Sequence, residues 1–249
     1  MNIALVGTGR MGQAVEAVAA ERGHAVVARF DAETPLLDAR DADALGGADV
    51  CIDFSVPDVA LDQIHRYAFW GVDAIVGTTG WHDRVETVRE WVDEGGAGLL
   101  YASNFSLGLA LVARALGGLL PLLDRLEDYD VAVHETHHTA KLDSPSGTAL
   151  TLARIVLDGL GRKTYLETET QHGAIGPDAL HVTSARVGHV FGEHTVLLDS
   201  PVDTVEIVHR AKDRRAFAVG AVRAAEWVRG RTGLFTLDDM IGETLGGEG

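Results

Sequence analysis

Apolar and polar positions divide the first hundred residues into short strand-like runs and longer amphipathic ones. "NIALVG" is apolar nearly throughout and predicts a buried strand. "GQAVEAVAAERG" spaces its apolar residues three and four apart, as one face of a helix requires, until Gly23 stops it. "HAVVARFD" is the next strand. "ADVCIDFS", "VPDVALDQIHRYAFWG", "DAIVGTTG", "DRVETVREWVDEGG" and "GLLYASNF" continue the rhythm, strand and helix in turn. That alternation predicts a parallel sheet joined by right-handed helical crossovers.

Beyond Asn104 the pattern changes. A long apolar helix leads to the strand "DYDVAVHE", a polar loop and the helix "GTALTLARIVLDGLG". "ALHVTSARVG", "HVFGEHTVLLDS" and "DTVEIVHRA" follow closely, and their Thr/Val-rich alternation predicts neighbouring strands with antiparallel character. "RRAFAVGAVRAAEWVRG" returns to helix. The shift near residue 105 marks a boundary between two domains, with the C-terminal stretch 213–249 expected to pack back onto the first.

The apolar stretch "SLGLALVARALGGLLPLLDRL" is broken by Arg114, Pro121 and Asp124, so it predicts a buried helix rather than a membrane span. The N-terminus lacks a basic n-region and a cleavage site, and no export signal is expected. Cys51, the lone cysteine, sits in an apolar run, which excludes an intramolecular disulfide and suits a cytoplasmic protein. A net charge of −16, spread along the chain, repels nucleic acid and anionic membrane surfaces. Neither is an expected partner, and an anionic substrate would need local basic groups.

"VGTGRMG" sets Gly7, Gly9 and Gly12 in G-x-G-x-x-G spacing between the first strand and the first helix. The first glycine permits a tight turn, the second lets a pyrophosphate approach the backbone, and the third lets helix and strand pack closely. The helix start then offers unpaired N–H groups to phosphate. Asp31 ends the second strand, where a carboxylate can hold the adenosine ribose hydroxyls. This is a Rossmann-type arrangement. A carboxylate there repels a 2′-phosphate, and Ala32 follows where an arginine would attract one, so NADH is the expected cofactor with NADPH open through Arg10 or Arg29. "GTTG" (77–80) and "ASNF" (102–105) end later strands on the same ligand-binding edge.

Between an apolar strand and an apolar helix lies "HETHHTAKLDSPSGTAL", 134–150. Ser146 suits an N-cap, and the N–H groups of Gly147 and Thr148 would fall in the first helical turn, an arrangement that binds a carboxylate. Lys141 and the histidines supply a cation and proton donors. At about 1.5–3 kcal/mol per charge-assisted hydrogen bond, two or three would hold a small dicarboxylate. The histidines lack the helical frame of H-E-x-x-H and no cysteine assists them, so no metal is expected. The residues alone therefore point to a nicotinamide-dependent reductase of a small anion. A dehydrogenase of an amino or keto dicarboxylate such as aspartate, or a non-enzymatic NADH sensor, would share the cofactor end.

"VGTGRMG", "DFS", "GTTGW", "ASNFSLG", "ETHHTAKLDSPSGTA", "ARVGHVFGEHTV" and "HRAKDRRAFAVGA" stand in the order found in the 4-hydroxy-tetrahydrodipicolinate reductases, the dihydrodipicolinate reductases of bacterial lysine biosynthesis. The chain resembles that family over nearly its whole length. The resemblance implies NAD(P)H-dependent reduction of the dehydrated form of 4-hydroxy-tetrahydrodipicolinate to tetrahydrodipicolinate, in the diaminopimelate route to lysine. It implies His137 and Lys141 as the acid/base pair, with Lys141 the donor to the ring. His138, Ser146, Gly147 and Thr148 would bind substrate, as would Arg214 at the domain junction. Gly7, Thr8, Gly9, Arg10, Met11, Gly12, Asp31, Gly77, Thr78, Thr79, Ala102, Ser103, Asn104 and Phe105 would form the cofactor shell. His134 and His189 are expected to be structural. The α/β chain would then comprise a dinucleotide-binding domain, 1–104, and a smaller α+β domain, 105–212, whose mixed sheet binds substrate and assembles a homotetramer. Two departures stand out: the glycine loop is one residue shorter than the family's common G-x-x-G-x-x-G, and the arginine after Asp31 is absent.

Overall fold

The structure, a computed structural model, describes residues 1–245; the last four residues of the stretch 213–249 lie outside it. The chain forms two compact units, residues 1–107 with 214–249 and residues 108–213.

The first unit is built on six parallel strands: β1 (Asn2–Val6), β2 (Ala25–Phe30), β3 (Val50–Asp53), β4 (Asp73–Val76), β5 (Gly98–Tyr101) and β11 (Gly233–Thr236), in the order β11-β5-β4-β3-β1-β2. β3 is fully buried, as a strand covered on both faces must be. Helices α1 (Arg10–Glu21), α2 (Pro57–Trp70), α3 (Val85–Gly95) and α6 (Arg215–Val228) complete the unit, followed by α7 (Leu237–Leu245). Pro57 opens α2, where its missing N–H is no loss, and Gly71 closes it in the left-handed region with φ 62°. Strand order reverses at β1, so the loops leaving β1, β3, β4 and β5 share the edge where open α/β sheets bind ligands.

The helix expected of "RRAFAVGAVRAAEWVRG" forms as α6, and the chain after it adds a strand that the sequence did not announce. α6 stops at Val228, Gly230 turns with φ 74°, and "GLFT" joins the sheet as β11 beside β5. Four residues carry too little periodicity to announce a strand. What recruits them is the unpaired hydrogen-bonding edge of β5. Arg22 and His24 both reach Glu226, at 2.7 Å each, joining α6 to the end of α1.

The second unit holds α4 (Leu107–Leu123, its first residue in the first unit), α5 (Gly147–Gly159) and the strands β6 (Asp130–His137), β7 (Tyr165–Glu167), β8 (Ala179–Arg186), β9 (Glu193–Asp199) and β10 (Thr204–Arg210). Their order is β10-β9-β6-β8-β7. β6 pairs antiparallel with β9 and parallel with β8, so the sheet is mixed. β6 alternates strictly: Val131, Val133, Glu135 and His137 are buried. Val131 and Val133 join Leu152, Val156, Leu180, Val182, Val196 and Leu198 in the core. One sheet face is thus apolar at one end and ionisable at the other. Pro121 lies inside α4 without ending it, and no described helix is long and apolar enough to cross a membrane.

Candidate active site

The cofactor candidates of the first unit cluster on the expected edge. Gly7 leaves β1 with φ 87°, and its N–H donates to the Phe30 carbonyl at 2.9 Å. A Cβ on Gly7 would meet the Phe54 carbonyl at 2.3 Å, and one on Gly12 would meet the Gly7 carbonyl at 2.0 Å. Both positions therefore require glycine. Gly9 is the N-cap of α1, provides no side-chain cap, and has open space around it. That is the cradle a pyrophosphate needs: helix N–H groups without a side-chain acceptor and no Cβ in the way. Arg10 and Met11 form the first turn of α1, Arg10 exposed.

Asp31 is exposed just past β2. It accepts hydrogen bonds from Thr8 Oγ1 (3.0 Å) and from the N–H groups of Glu33 (3.0 Å) and Thr34 (3.1 Å), and these hold its carboxyl below the usual range, the Thr8 bond most. Arg29, two residues earlier, is paired with Glu16. Gly77 must be glycine because the Phe54 ring fills its Cβ position. Thr78 is buried and donates to Asp53 Oδ1 at 3.1 Å, while Thr79 is exposed. Ala102 donates its N–H to the Val76 carbonyl, Ser103 is exposed, and Asn104 accepts from the Ser106 N–H. The Phe105 ring is buried edge-to-face against Phe54, so only its backbone could meet a ligand.

Asp53 anchors this edge, and "DFS" did not single it out as more than part of a motif. Fully buried, it accepts from the Ser55 N–H (2.9 Å), Thr78 Oγ1 and Tyr67 OH (2.8 Å). Burial pushes its carboxyl up, against the pull of those hydrogen bonds.

In the second unit the polar loop runs from the end of β6 to the start of α5. Ser146 caps α5, its Oγ accepting from the Ala149 N–H at 3.1 Å. It is buried, and its own N–H donates to Glu135, so its polar atoms already serve the fold. Gly147 is exposed and Thr148 half-buried in the first turn. Lys141 Nζ donates to both oxygens of Asp143, at 2.7 and 3.0 Å. Burial would raise the Asp143 carboxyl, but the Lys141 ammonium on it holds it low. A carboxylate of the chain's own therefore rests on the ammonium that the sequence offers to a substrate carboxylate. His138 is half-buried beside them.

His137 ends β6, buried, its Nδ1 2.8 Å from Glu135 Oε2. Glu135 is wholly buried; its Oε1 accepts from the Ser146 N–H (3.0 Å) and Arg186 Nη2 (2.9 Å). Burial alone would raise its carboxyl, but the hydrogen bonds from Ser146 and Arg186 outweigh it and bring the value to about 2. His194 faces Glu135 across the β6–β9 ladder, with Nε2 3.3 Å from Ser146 Oγ and 3.8 Å from Glu135 Oε2. Burial, then His137 nearby, lowers His194 to about 4. His137 is also lowered, by burial first, with Glu135 acting in the opposite direction. Glu135, His137 and His194 bring ligand-type atoms within 4.8 Å of one another. The Arg186 guanidinium on the same carboxylate opposes a dication there.

Arg214 stands at the N-terminus of α6, in the first unit. His134 turns to the other sheet face and bonds Thr183 Oγ1 at 2.7 Å, and His189 is exposed in a turn. Sequence reasoning passed over Arg186 and His194. Their signal is positional: Arg186 shares the parity of Leu180 and Val182 on β8, and His194 that of Val196 and Leu198 on β9, all four in the core.

A six-stranded parallel sheet with a glycine cradle, together with a mixed sheet carrying a His/Lys loop, defines a nicotinamide-dependent oxidoreductase of Rossmann type. Comparison with known proteins narrows this. "Dihydrodipicolinate reductase, N-terminus" matches residues 1–105 and "Dihydrodipicolinate reductase, C-terminus" residues 108–241. The chain belongs to the dihydrodipicolinate reductase family. It is 39% identical over 244 residues to the 4-hydroxy-tetrahydrodipicolinate reductase of Christiangramia forsetii, covering 98% of both chains. It is 37% identical over 265 residues to that of Chromobacterium violaceum, covering 97% of this chain and 98% of the relative. Among solved structures, the dipicolinate-bound dihydrodipicolinate reductase from Paenisporosarcina sp. TG-14 shares the fold with a TM-score of 0.78 at 21% identity, covering 96% of this chain and 99% of that one. An engineered D-amino acid dehydrogenase bound to NADP+ shares it at a TM-score of 0.54 and 16% identity, covering 96% of this chain and 93% of that one.

Proposed function

We propose that this chain reduces the dehydrated form of 4-hydroxy-tetrahydrodipicolinate to tetrahydrodipicolinate, in the diaminopimelate route to lysine, with NADH as its preferred cofactor. The observation that carries the substrate class is the Asp143 carboxylate lying on the Lys141 ammonium beside the start of α5. A nest that takes this carboxylate suits one of the substrate's two, with His138 and Thr148 beside it and Arg214 a further candidate. The first unit would bind the dinucleotide, through the cradle at Gly7, Gly9 and Gly12 and through Asp31, and the second unit the dicarboxylate.

The nicotinamide supplies a hydride from C4. Saturating one ring double bond needs one proton besides, and Lys141 holds it as an ammonium; His137 is its acid/base partner. Fixing a carboxylate at the α5 start orients the ring, which is where much of the rate of such a transfer arises. NADH is favoured because Asp31 would repel a 2′-phosphate, Ala32 offers no cation, and Glu16 already pairs Arg29. We further propose that the enzyme works in the cytoplasm as a homotetramer assembled through the mixed sheet, where Val205 is 43% exposed; light scattering at a mass other than four chains overturns this part. Initial rates with NADH and NADPH at fixed dicarboxylate test the cofactor. A higher kcat/KM for NADH is expected, and the reverse order removes the preference.

A further inference from the structure

We propose that Asp143 is a built-in competitor for Lys141: binding of a substrate carboxylate at this ammonium is an exchange, in which the Asp143 carboxylate swings out and the substrate's takes its place. The proposal deepens the reductase function proposed above and rests on its dicarboxylate substrate.

Both Asp143 oxygens lie on Lys141 Nζ, at 2.7 and 3.0 Å, so the carboxylate covers the ammonium as a ligand carboxylate would. The main chain under each partner is fixed. The Lys141 N–H donates to the His138 carbonyl at 3.1 Å. Arg186 Nη2 donates to the Asp143 carbonyl at 2.6 Å while also gripping the buried Glu135. Leu142 between them is 98% exposed, so these bonds rather than packing hold the stretch. The two side chains differ in freedom: that of Lys141 is 23% exposed and that of Asp143 56%. The partner free to leave is therefore the carboxylate, by rotation of its own side chain over a backbone that stays put.

Tethering sets the strength of the competition. A carboxylate two residues from the ammonium acts as a ligand at an effective concentration on the order of millimolar or more. An ion pair this open to water is weak, so a substrate that brings a second carboxylate for other contacts can displace it. Substrate and product carry the same two carboxylates, and Lys141 would grip both alike; a returning Asp143 loosens either. Asparagine would fill the same space and still accept a hydrogen bond from Lys141. It would lack the charge that makes Asp143 a rival to an incoming anion.

The test is a calorimetric titration of the full chain, with NADH present, by pyridine-2,6-dicarboxylate, a flat ring bearing two carboxylates. Asp143→Asn is expected to bind this probe about 3- to 5-fold more tightly than wild type. The same substitution in a Lys141→Gln chain is expected to gain nothing, because no ammonium is left to compete for. Equal affinities in wild type and Asp143→Asn overturn the proposal and leave the dicarboxylate site standing. Weaker binding by Asp143→Asn does the same, since Asp143 would then hold Lys141 in place for the ligand. A gain of the same size with and without Lys141 also overturns it, because general repulsion between anions would suffice. If none of the chains binds the probe, the dicarboxylate site falls and the proposal with it.

Discussion

His194 shows what one residue's surroundings do. An ordinary imidazole takes its proton near 6.5; buried between Glu135 and Ser146, this one waits until about 4. The sign follows by linkage. Between those two values the unfolded chain binds a proton that the folded chain refuses, so stability is fully present above about 6.5 and is lost as the pH falls toward 4. His137 and His209 are lowered too and act in the same direction. His194→Gln should flatten the slope of unfolding free energy against pH across that window; an unchanged slope in denaturant titrations would show that His194 does not drive it. Asp31 gives a second residue-scale expectation. Losing a charge-assisted contact of about 1.5–3 kcal/mol, Asp31→Ala should raise the Michaelis constant for NADH roughly 10- to 100-fold while kcat stays put. A lower kcat at unchanged Michaelis constant would place Asp31 elsewhere in the mechanism. Asp31, Lys141 and Ser146 were visible in the sequence because residue type and spacing announce them. Arg186, Asp53 and His194 were not, because their meaning lies in which way a strand residue faces and what lies across the ladder.

At the scale of elements, the strand–helix rhythm of the first hundred residues was legible because hydrophobic period and glycine stops agree there. β11 escaped because a four-residue strand is defined by the edge it joins. The parallel pairing of β6 with β8 was equally hidden, since Thr/Val alternation marks a strand but not its neighbour's direction. Helix packing leaves a test of its own. A Cβ at Gly220 in α6 would meet the Phe105 carbonyl at 1.8 Å, whereas one at Gly117 in α4 would meet nothing within 4 Å. Gly220→Ala should therefore cost about 1–3 kcal/mol of stability through overpacking. Gly117→Ala should add about 0.5–1 kcal/mol by restricting the unfolded chain. Thermal unfolding of the two variants checks the pair; a Gly220→Ala protein as stable as wild type would mean α6 is free to move away from Phe105.

Across the whole molecule, function was legible in the order of motifs from "VGTGRMG" to "HRAKDRRAFAVGA", which family membership of both units bears out. A dehydrogenase of another small acid would share the cofactor edge, but that reading does not call for the His/Lys loop that leads into α5. The account stands on Lys141 delivering a proton to a dicarboxylate ring as reduced nicotinamide delivers its hydride. The measurement closest to that claim is NADH oxidation on freshly generated dihydrodipicolinate, compared between wild type and Lys141→Ala. Wild type should consume NADH only when the dicarboxylate is supplied, and the variant should lose at least about 100-fold in turnover while binding NADH as before. Oxidation indifferent to the dicarboxylate, or a variant that turns over like wild type, would contradict it.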